Sequence, residues 1–297
     1  MPALTVLAPG TLMTTQDAGR SGYARYGVGP SGPADRRSAA LANRLVGNPG
    51  DATQLEATFG GFRLRANVTL TIAVTGALVE LTVLRGQRRV GAATHSVLTL
   101  RPGDELRAGT PSAGLRNYIA VRGGLRSEPV LGSSSTDTLS GLGPRAVTAG
   151  QDFELAGSFA GWPVVDLAHW PAQLGRGTAD LLLSVILGPR DDWFLAESIR
   201  LLFSQRWTVT TQSNRVAIRL DGKEPLTRTI AMELPSEGVL AGAIQVPADG
   251  KPIAFLADHP VTGGYPVIGV LDSGSLADAA QLRPGEHLRF EQKVVTW

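Results

Sequence analysis

The sequence contains no residue that thiol chemistry could use. None of its 297 residues is a cysteine, which excludes disulfides, thiol nucleophiles and thiolate metal sites. The histidines are His95, His169, His259 and His287, and no two of them have the spacing of metal ligands. We therefore expect no metal site.

The sequence also has little net charge and no long apolar run. Its net charge is +2, without the basic block that a nucleic-acid-binding surface needs. No run reaches the roughly 18 apolar residues of a membrane-spanning helix. Residues 1–7 lack the basic and apolar regions of a signal peptide. We expect a cytoplasmic protein that binds neither nucleic acid nor membrane.

Several enzyme motifs are missing. The sequence has no Gly-x-Ser-x-Gly and no phosphate-binding loop ending in Lys-Ser or Lys-Thr. Lysines are few, and none follows Ala-Met, as a covalently attached biotin would require. If ATP or biotin takes part, another chain must supply that machinery.

Turn residues, by contrast, are abundant, with 36 glycines and 19 prolines. They bound short apolar runs such as 68–74, 181–187 and 216–220, a pattern typical of β-barrels or sandwiches. The length suggests two domains, which we place at 1–165 and 166–297, with a loose boundary stretch at 157–177.

An internal echo and three helices complete the predicted organisation. Leu100–Arg107 resembles Leu282–Arg289 in sequence, and both segments predict a turn that opens a strand, which favours duplication of one half. Helices are predicted at 34–46, 191–204 and 275–282. Ser275 and Asp278 have the spacing of a capping box at the start of the third.

The densest cluster of reactive side chains is 258–266, between two predicted strands. It contains Asp258, Thr262, Gly263, Gly264 and Tyr265. Adjacent glycines allow backbone N–H groups to approach a ligand or to adopt positive φ. The alternative is a β-turn that merely requires Gly-Gly.

A second cluster lies in the N-terminal third. Asp17 and Arg20 precede a glycine-rich segment with Ser31 and Asp35 at the start of the first helix. A helix N-terminus suits a carboxylate or phosphate. The alternatives are that Ser31 and Asp35 only cap the helix and that Asp17 and Arg20 form a surface pair.

A third cluster is 236–247. Glu237 is a candidate for acid–base work, because neighbouring Gly and apolar residues could raise its pKa by desolvation. The alternative is an exposed Glu on a turn. Arg215, before the predicted strand 216–220, is a candidate anion-binding residue.

In order, these segments resemble the allophanate hydrolase subunit 2 family, also described as biotin-dependent carboxyltransferase-like. The segments that carry the resemblance are 6–10, 16–20, 27–35, 41–49, 55–58, 118–124, 130–133, 236–238, 242–247 and 262–266. The family includes the 5-oxoprolinase subunit that is designated C and the antagonist of a sporulation-kinase inhibitor. It is also homologous to part of the urea carboxylase carboxyltransferase region.

The resemblance implies a mainly β fold of two cyclophilin-like β-barrel domains with a few short helices. It also implies a heterocomplex with a subunit 1 or KipI-like protein and a small amide, ureido or lactam substrate. Bound ATP or carboxybiotin would come through partner subunits. Three positions depart from the family pattern, namely Pro33, Asn214 and His259.

Our leading hypothesis is one subunit of a hydrolase that acts on amide or lactam C–N bonds. Glu237 or Asp258 would move a proton, Tyr265 would orient the substrate, and Gly263 with Gly264 would stabilise an oxyanion. Arg20 or Arg215 would hold a carboxylate. The other expected substrate-binding residues are Asp17, Ser31, Asp35, Asn43, Glu56, Gln245 and Thr262.

The alternative hypothesis is a non-catalytic regulator that binds a KipI-like kinase inhibitor, and the Asn at position 214 favours it. We also expect Arg20, Ser31, Glu237 and Tyr265 to line one cleft between the domains. The partner interface should bury more than about 1,000 Å².

Overall fold

The computed structural model describes residues 1–163, 165–175, 177, 179–230, 232 and 234–294. The described chain is mostly β-strand with a few short helices, which confirms the predicted fold class. It forms two compact units. The first contains Met1–Arg20, Asp35–Asp137 and Gly141–Gly175, and the second contains Ser21–Ala34, Thr138–Ser140 and the chain from 176 onward. The domain boundary at 165/166 stays a prediction.

The described part of the first unit contains one α-helix, α1 (Arg36–Leu45). Its strands are β1 (Leu4–Ala8), β2 (Leu12–Gln16), β3 (Gln54–Thr58), β4 (Arg63–Ala66), β5 (Leu70–Leu78), β6 (Leu81–Arg85), β7 (Arg88–Ala92), β8 (Val97–Leu100), β9 (Glu105–Ala108), β10 (Ala113–Val121), β11 (Gly123–Leu125), β12 (Asp152–Phe153) and β13 (Leu155–Ser158).

Two antiparallel sheets enclose the core of the first unit. One has the order β12-β1-β4-β9-β6-β7, the other β2-β3-β10-β5-β8, and β11 pairs with β13. Alternating strand residues such as Leu64, Ile72 and Leu106 are buried between them. Small residues of α1, including Ala39 and Ala42, let the helix pack closely on β5 and β10.

The second unit is built on a closed barrel with the order β14-β21-β18-β19-β16-β15-β22. Its elements are β14 (Leu181–Leu187), α2 (Ala196–Ser204), β15 (Trp207–Val209), β16 (Ala217–Gly222), β17 (Glu237–Gly238), β18 (Ala243–Gln245), β19 (Ile253–Phe255), β20 (Thr262–Gly263), β21 (Val267–Leu271), α3 (Ser273–Ala279) and β22 (His287–Gln292). Trp207 and Phe290 lie in the barrel core with ring centroids 6.4 Å apart.

The internal echo corresponds to the same turn in both units. The N–H of Arg101 donates to the Asp104 carboxylate at 2.8 Å, and that of Arg283 donates to Glu286 at 2.9 Å. Gly103 and the matching Gly285 both have φ of 86°, which glycine adopts without strain. Each turn leads into a strand, as predicted.

The predicted helices are partly corrected. The second is a short 3-10 turn, Asp191–Trp193, followed by α2. The third starts earlier than predicted and has no Ser275–Asp278 capping box. Asp272 is the N-cap instead, because its carboxylate accepts the N–H of Ser275 at 2.8 Å. No helix in the described ranges is long and apolar enough to cross a membrane.

Candidate functional site

Asp258 is the centre of a buried polar cluster in the second unit. Its carboxylate accepts the Ser31 hydroxyl at 2.7 Å, and the backbone N–H and hydroxyl of Thr138 at 2.9 and 2.7 Å. Arg215 donates through Nε at 2.9 Å and through Nη2 at 3.0 Å. Three distant segments of sequence therefore meet on one carboxylate.

Strand pairing explains why Arg215 and Asp258 meet. β16 and β19 are antiparallel neighbours, so Arg215, two residues before β16, lies near Asp258, three residues after β19. The backbone N–H of Asp258 donates to the Arg215 carbonyl at 3.2 Å, which continues the pairing beyond the strands. The side chains then form a bidentate pair, a strong and directional contact.

The environment of Asp258 favours a positioning role over proton transfer. Burial alone would raise the pKa of its carboxyl group, but the charge and hydrogen bonds of Arg215 and the donors of Thr138 outweigh burial and lower that pKa. A carboxylate that accepts five hydrogen bonds and has a lowered pKa is a weak base. Its role as a proton-transfer group stays a prediction.

Ser31 is held in place by the same cluster. It is fully buried and has φ of 52°, a value that residues other than glycine rarely adopt. Arg215 Nη2 donates to the carbonyl of the next residue, Gly32, at 2.7 Å. The segment 31–32 is thus fixed onto the Arg215–Asp258 pair, which supports the strained backbone at Ser31.

A second cluster of the same unit is built on the ribbon of β17 and β20, where Glu237 lies opposite Gly263. Val239 and Val261 lie opposite each other two residues further along this ladder, and the N–H of Val239 donates to the Val261 carbonyl at 2.8 Å. Hydrogen-bonded pairs alternate in antiparallel ladders, so the Glu237–Gly263 pair is also hydrogen-bonded. Of the two predicted oxyanion donors, only Gly264 keeps its N–H outside this ladder.

Gly263 is needed for close packing, not for its backbone angle. Its φ is not positive, so the positive φ that the adjacent glycines could have allowed is not used at Gly263. A Cβ at this position would lie 2.6 Å from Nε2 of Gln245, whose amide donates to the Tyr265 carbonyl at 2.9 Å. The absent side chain therefore lets Gln245 fix the backbone of Tyr265, a residue that is about half exposed at 47%.

Glu237 does not have the raised pKa that the sequence suggested. Arg190 donates to its carboxylate through Nη2, and through Nε at 3.0 Å. The hydrogen bonds from Arg190 lower the pKa of the Glu237 carboxyl group, and they outweigh the opposing effect of burial. The prediction of a raised pKa is wrong because Glu237 forms an ion pair with Arg190, which is 47 residues away in the sequence.

The Asp17 cluster belongs to the first unit. The Asp17 carboxylate accepts the hydroxyls of Ser133 and Ser135 at 2.5 and 2.7 Å and the N–H of Ser134 at 2.6 Å. Arg20 is buried and donates through Nη2 to the Ser135 carbonyl, while its Nη1 has no partner in the described residues. The pair between Asp17 and Arg20 suggested as an alternative does not form, since Arg20 contacts carbonyl oxygens.

The remaining first-unit candidates have structural contacts. Asp35 caps α1, with its carboxylate 3.0 Å from the N–H of Ser38. Asn43 donates to the carbonyl of Ala52 at 2.9 Å. Glu56 lies 3.7 Å from the buried guanidinium of Arg116. These contacts favour the capping interpretation for Asp35, and the binding roles of Asn43 and Glu56 stay predictions.

The second unit therefore brings together two sets of predicted residues. Ser31, Arg215 and Asp258 form one cluster. Glu237, Gln245 and the segment 262–265 form the other. Arg20 belongs to the first unit, and the single cleft predicted for it with Ser31, Glu237 and Tyr265 stays a prediction.

Sequence reasoning missed several residues that complete these clusters. They are Ser133, Ser134 and Ser135 around Asp17, and Thr138, Arg190 and Arg228 in the second unit. Of these, only Ser133 lies inside a segment that carried the family resemblance, namely 130–133. Within the described ranges, no three His, Cys, Asp or Glu side chains are grouped as metal ligands.

Comparison with known proteins gives a consistent result. Residues 26–292 match the family described as carboxyltransferase domain, subdomain A and B. The 5-oxoprolinase subunit that is designated C in Escherichia coli K12 is 32% identical, and the match covers 97% of this chain and 91% of that protein. The urea amidolyase of Lachancea kluyveri is also 32% identical over 97% of this chain, which spans only 17% of that protein. The crystal structure of the K. lactis urea amidolyase superposes with a TM-score of 0.88 at 30% identity, covering 97% of this chain and 18% of that one.

Proposed function

We propose a function from one premise: this chain belongs to the family of the carboxyltransferase domain, subdomains A and B. In the proposal it is one subunit of an enzyme that processes an amide or lactam C–N bond. The observation that carries the proposal is the preorganised loop 262–265. Gln245 fixes the backbone of Tyr265 in this loop, and Glu237, which lies opposite Gly263, is ionised beside Arg190. The similarity to a 5-oxoprolinase subunit over nearly the full length of both chains supports a lactam as substrate.

The loop offers groups that would orient an amide and polarise its carbonyl. The N–H of Gly264 would donate to the carbonyl oxygen as it becomes an oxyanion. The exposed Tyr265 would orient the substrate, and ionised Glu237 would accept a hydrogen bond from the substrate N–H. The cluster of Ser31, Arg215 and Asp258 would hold the loop from the side of residue 258.

In this proposal ATP or carboxybiotin comes with partner subunits. The donors of the second cluster are a backbone N–H, a phenol and arginines, which suit a carbonyl or a single carboxylate of a small substrate. Hydrolysis as the reaction class is part of the proposal, as is the identity of the small molecule.

The enzyme proposal is tested with the complex of this chain and its subunit 1 partner. Turnover of 5-oxoproline, urea and allophanate is measured with and without ATP. Glu237→Gln and Tyr265→Phe should each lower turnover at least about tenfold, since each removes a group that contacts the reacting centre. Glu224→Gln and Tyr26→Phe are matched controls, because both residues are exposed.

A regulatory protein would give a different result, namely full partner binding and biological effect with both variants. The structure weakens the argument from Asn214. Its side-chain oxygen accepts the N–H groups of Val216 and Ala217 at 2.8 and 3.3 Å, a turn contact that an Asp would also make. Replacing Asp by Asn here keeps the turn.

The partner itself is part of the proposal. The first unit exposes five large apolar side chains within twelve residues: Phe159, Trp162, Val165, Leu167 and Trp170 are each more than half exposed. Such density is typical of protein-binding surfaces. We assign the surface formed by these five side chains to the subunit 1 partner, because in the urea amidolyase relatives the matched region is part of a much longer chain.

Co-expression and size-exclusion chromatography test the assignment. The two chains should elute together, and the double variant Trp162→Ser/Trp170→Ser should separate them at micromolar concentration. Leu240→Ser removes an equally exposed side chain of the second unit and should leave the complex intact. Independent elution of the unmodified chains, or self-association of this chain alone, would contradict the assignment.

A further inference from the structure

Among the described residues of the second unit, three arginines surround the segment 258–265, and two of them are neutralised. Arg215 forms a bidentate pair with Asp258, and Arg190 does the same with Glu237. The third, Arg228, lies with its guanidinium carbon 5.8 Å from the centroid of the Tyr265 ring. No ion pair involves Arg228 in the described part of the chain.

No carboxylate accepts a hydrogen bond from Arg228 among the described residues. Nη2 donates to the carbonyl of Val246, a neutral acceptor. Nε is buried and has no acceptor among the described residues. Burial lowers the pKa of the guanidinium, and the nearby Asp249 and Tyr265 only partly offset that effect. A guanidinium that is partly removed from water without a carboxylate is costly, and an incoming anion relieves the cost.

The position of Arg228 indicates which anion would bind. Tyr265 is the exposed residue of the preorganised loop, and Gln245 fixes its backbone. A small ligand whose amide lies at this loop could place a carboxylate between the phenol and the guanidinium. Arginine suits this task because its planar fork matches a carboxylate.

We propose that Arg228 and Tyr265 form a carboxylate subsite, and that the substrate is therefore an amide or lactam that carries a carboxylate, not a neutral urea. This inference rests on the proposed function, since it names the substrate class of the same loop. Arg228 is the specificity-determining residue, and Tyr265 supplies the second donor.

A pair of ligands that differ only in the carboxylate provides the test. Binding of 5-oxoproline and of 2-pyrrolidinone, the same lactam ring without the carboxylate, is measured by isothermal titration calorimetry on the reconstituted complex. The unmodified complex should bind 5-oxoproline about 10- to 100-fold more tightly, the range expected for one charge-assisted contact. Arg228→Gln should abolish that preference and leave the affinity for 2-pyrrolidinone unchanged.

Two further variants separate recognition from folding. Arg228→Lys keeps the charge without the fork and should retain a reduced preference for 5-oxoproline. Arg206→Gln removes an exposed arginine of the same unit, which pairs with Asp180, and should change neither affinity. If Arg228→Gln does not fold, the subsite is tested by comparing the affinities for the two ligands in the unmodified complex and in Arg228→Lys.

The outcomes also distinguish this inference from the proposed function. Equal affinity for the two lactams, binding of neither, or an unchanged preference in Arg228→Gln would overturn the subsite, even if 5-oxoproline is turned over. A preference that requires Arg228, without turnover of any amide, would support the subsite and contradict the enzyme proposal.

Discussion

Asp258→Asn should destabilise the protein more than any other single change of carboxylate to amide in the second unit. The side chains of Arg215 and Asp258 are 2% and 0% exposed, so the substitution leaves a buried guanidinium without its counter-ion. Breaking one side of a buried pair costs about 3–5 kcal/mol. The new amide NH₂ would also face donors on Thr138 and Arg215, where the carboxylate now accepts hydrogen bonds.

Urea denaturation followed by circular dichroism measures this loss. Asp221→Asn is the matched control, because Asp221 pairs with Lys251 at 3.0 Å and both side chains are 52% exposed. That pair should contribute little to stability, because solvent screens exposed ion pairs. If Asp258→Asn costs no more free energy of unfolding than Asp221→Asn, the view of Asp258 as the centre of a stabilising cluster is wrong.

The same variant predicts a pH dependence. The folded-state pKa of Asp258 is lowered, so its contribution is complete above the unfolded value of about 3.9 and is lost as pH falls through the folded value. The stability difference between the unmodified protein and Asp258→Asn should therefore be constant near neutral pH and shrink only in acid below about pH 4. A difference that already shrinks between pH 7 and 5 would contradict the lowered pKa.

Three other predictions follow from single contacts. Gly263→Ala would place a Cβ 2.6 Å from the Gln245 amide and release Tyr265, so affinity for 5-oxoproline should fall about tenfold, the equivalent of one hydrogen bond. Gly238→Ala on the opposite strand meets nothing within 4 Å and should bind normally, and equal effects of the two would contradict the packing role. His95 should stay neutral at pH 5, because burial lowers its pKa to about 4 against a smaller opposing effect of Asp35. Its ring signals in NMR should show a midpoint well below 6.5, and stability should fall as pH drops from about 6.5 towards 4, where only the unfolded chain gains the proton. A midpoint near 6.5 would contradict this. Arg190→Gln should move the acidic limb of the pH–rate profile upward, because hydrogen bonds from Arg190 lower the pKa of Glu237. An unchanged limb would show that Glu237 does not control it.

Local patterns in the sequence predicted local structure well. The first helix was expected at 34–46 and is found at Arg36–Leu45, because Asp35 can cap it within three residues and Gly47 follows its end. The echo predicted the same turn before β9 and β22, since its contacts lie within four residues. The third helix shows the limit of such patterns. Asp272 and Ser275 are both residue types that cap helices, and Asp272 is the N-cap in the structure.

Contacts between distant residues could not be predicted in the same way. Ser31 and Asp258 are 227 positions apart, and no spacing in the sequence joins them. Glu237 was expected to be desolvated by its neighbours, but its environment is set by Arg190 from another loop. Arg228 lies in no recognisable motif. Only the structure shows that no carboxylate pairs with it among the described residues, and this makes it a candidate for substrate binding. The reactive residue types were visible in the sequence, while their protonation and pairing depended on the fold.

The most direct test of the central claim is turnover of 5-oxoproline by the complex of this chain with the proposed subunit 1 partner, in the presence of ATP. We predict that turnover requires this chain and falls at least about tenfold in Tyr265→Phe, while the exposed control Tyr26→Phe stays at the unmodified rate. Turnover that persists when this chain is omitted, or that is equal in the two variants, would contradict the claim that its loop 262–265 contacts the reacting amide.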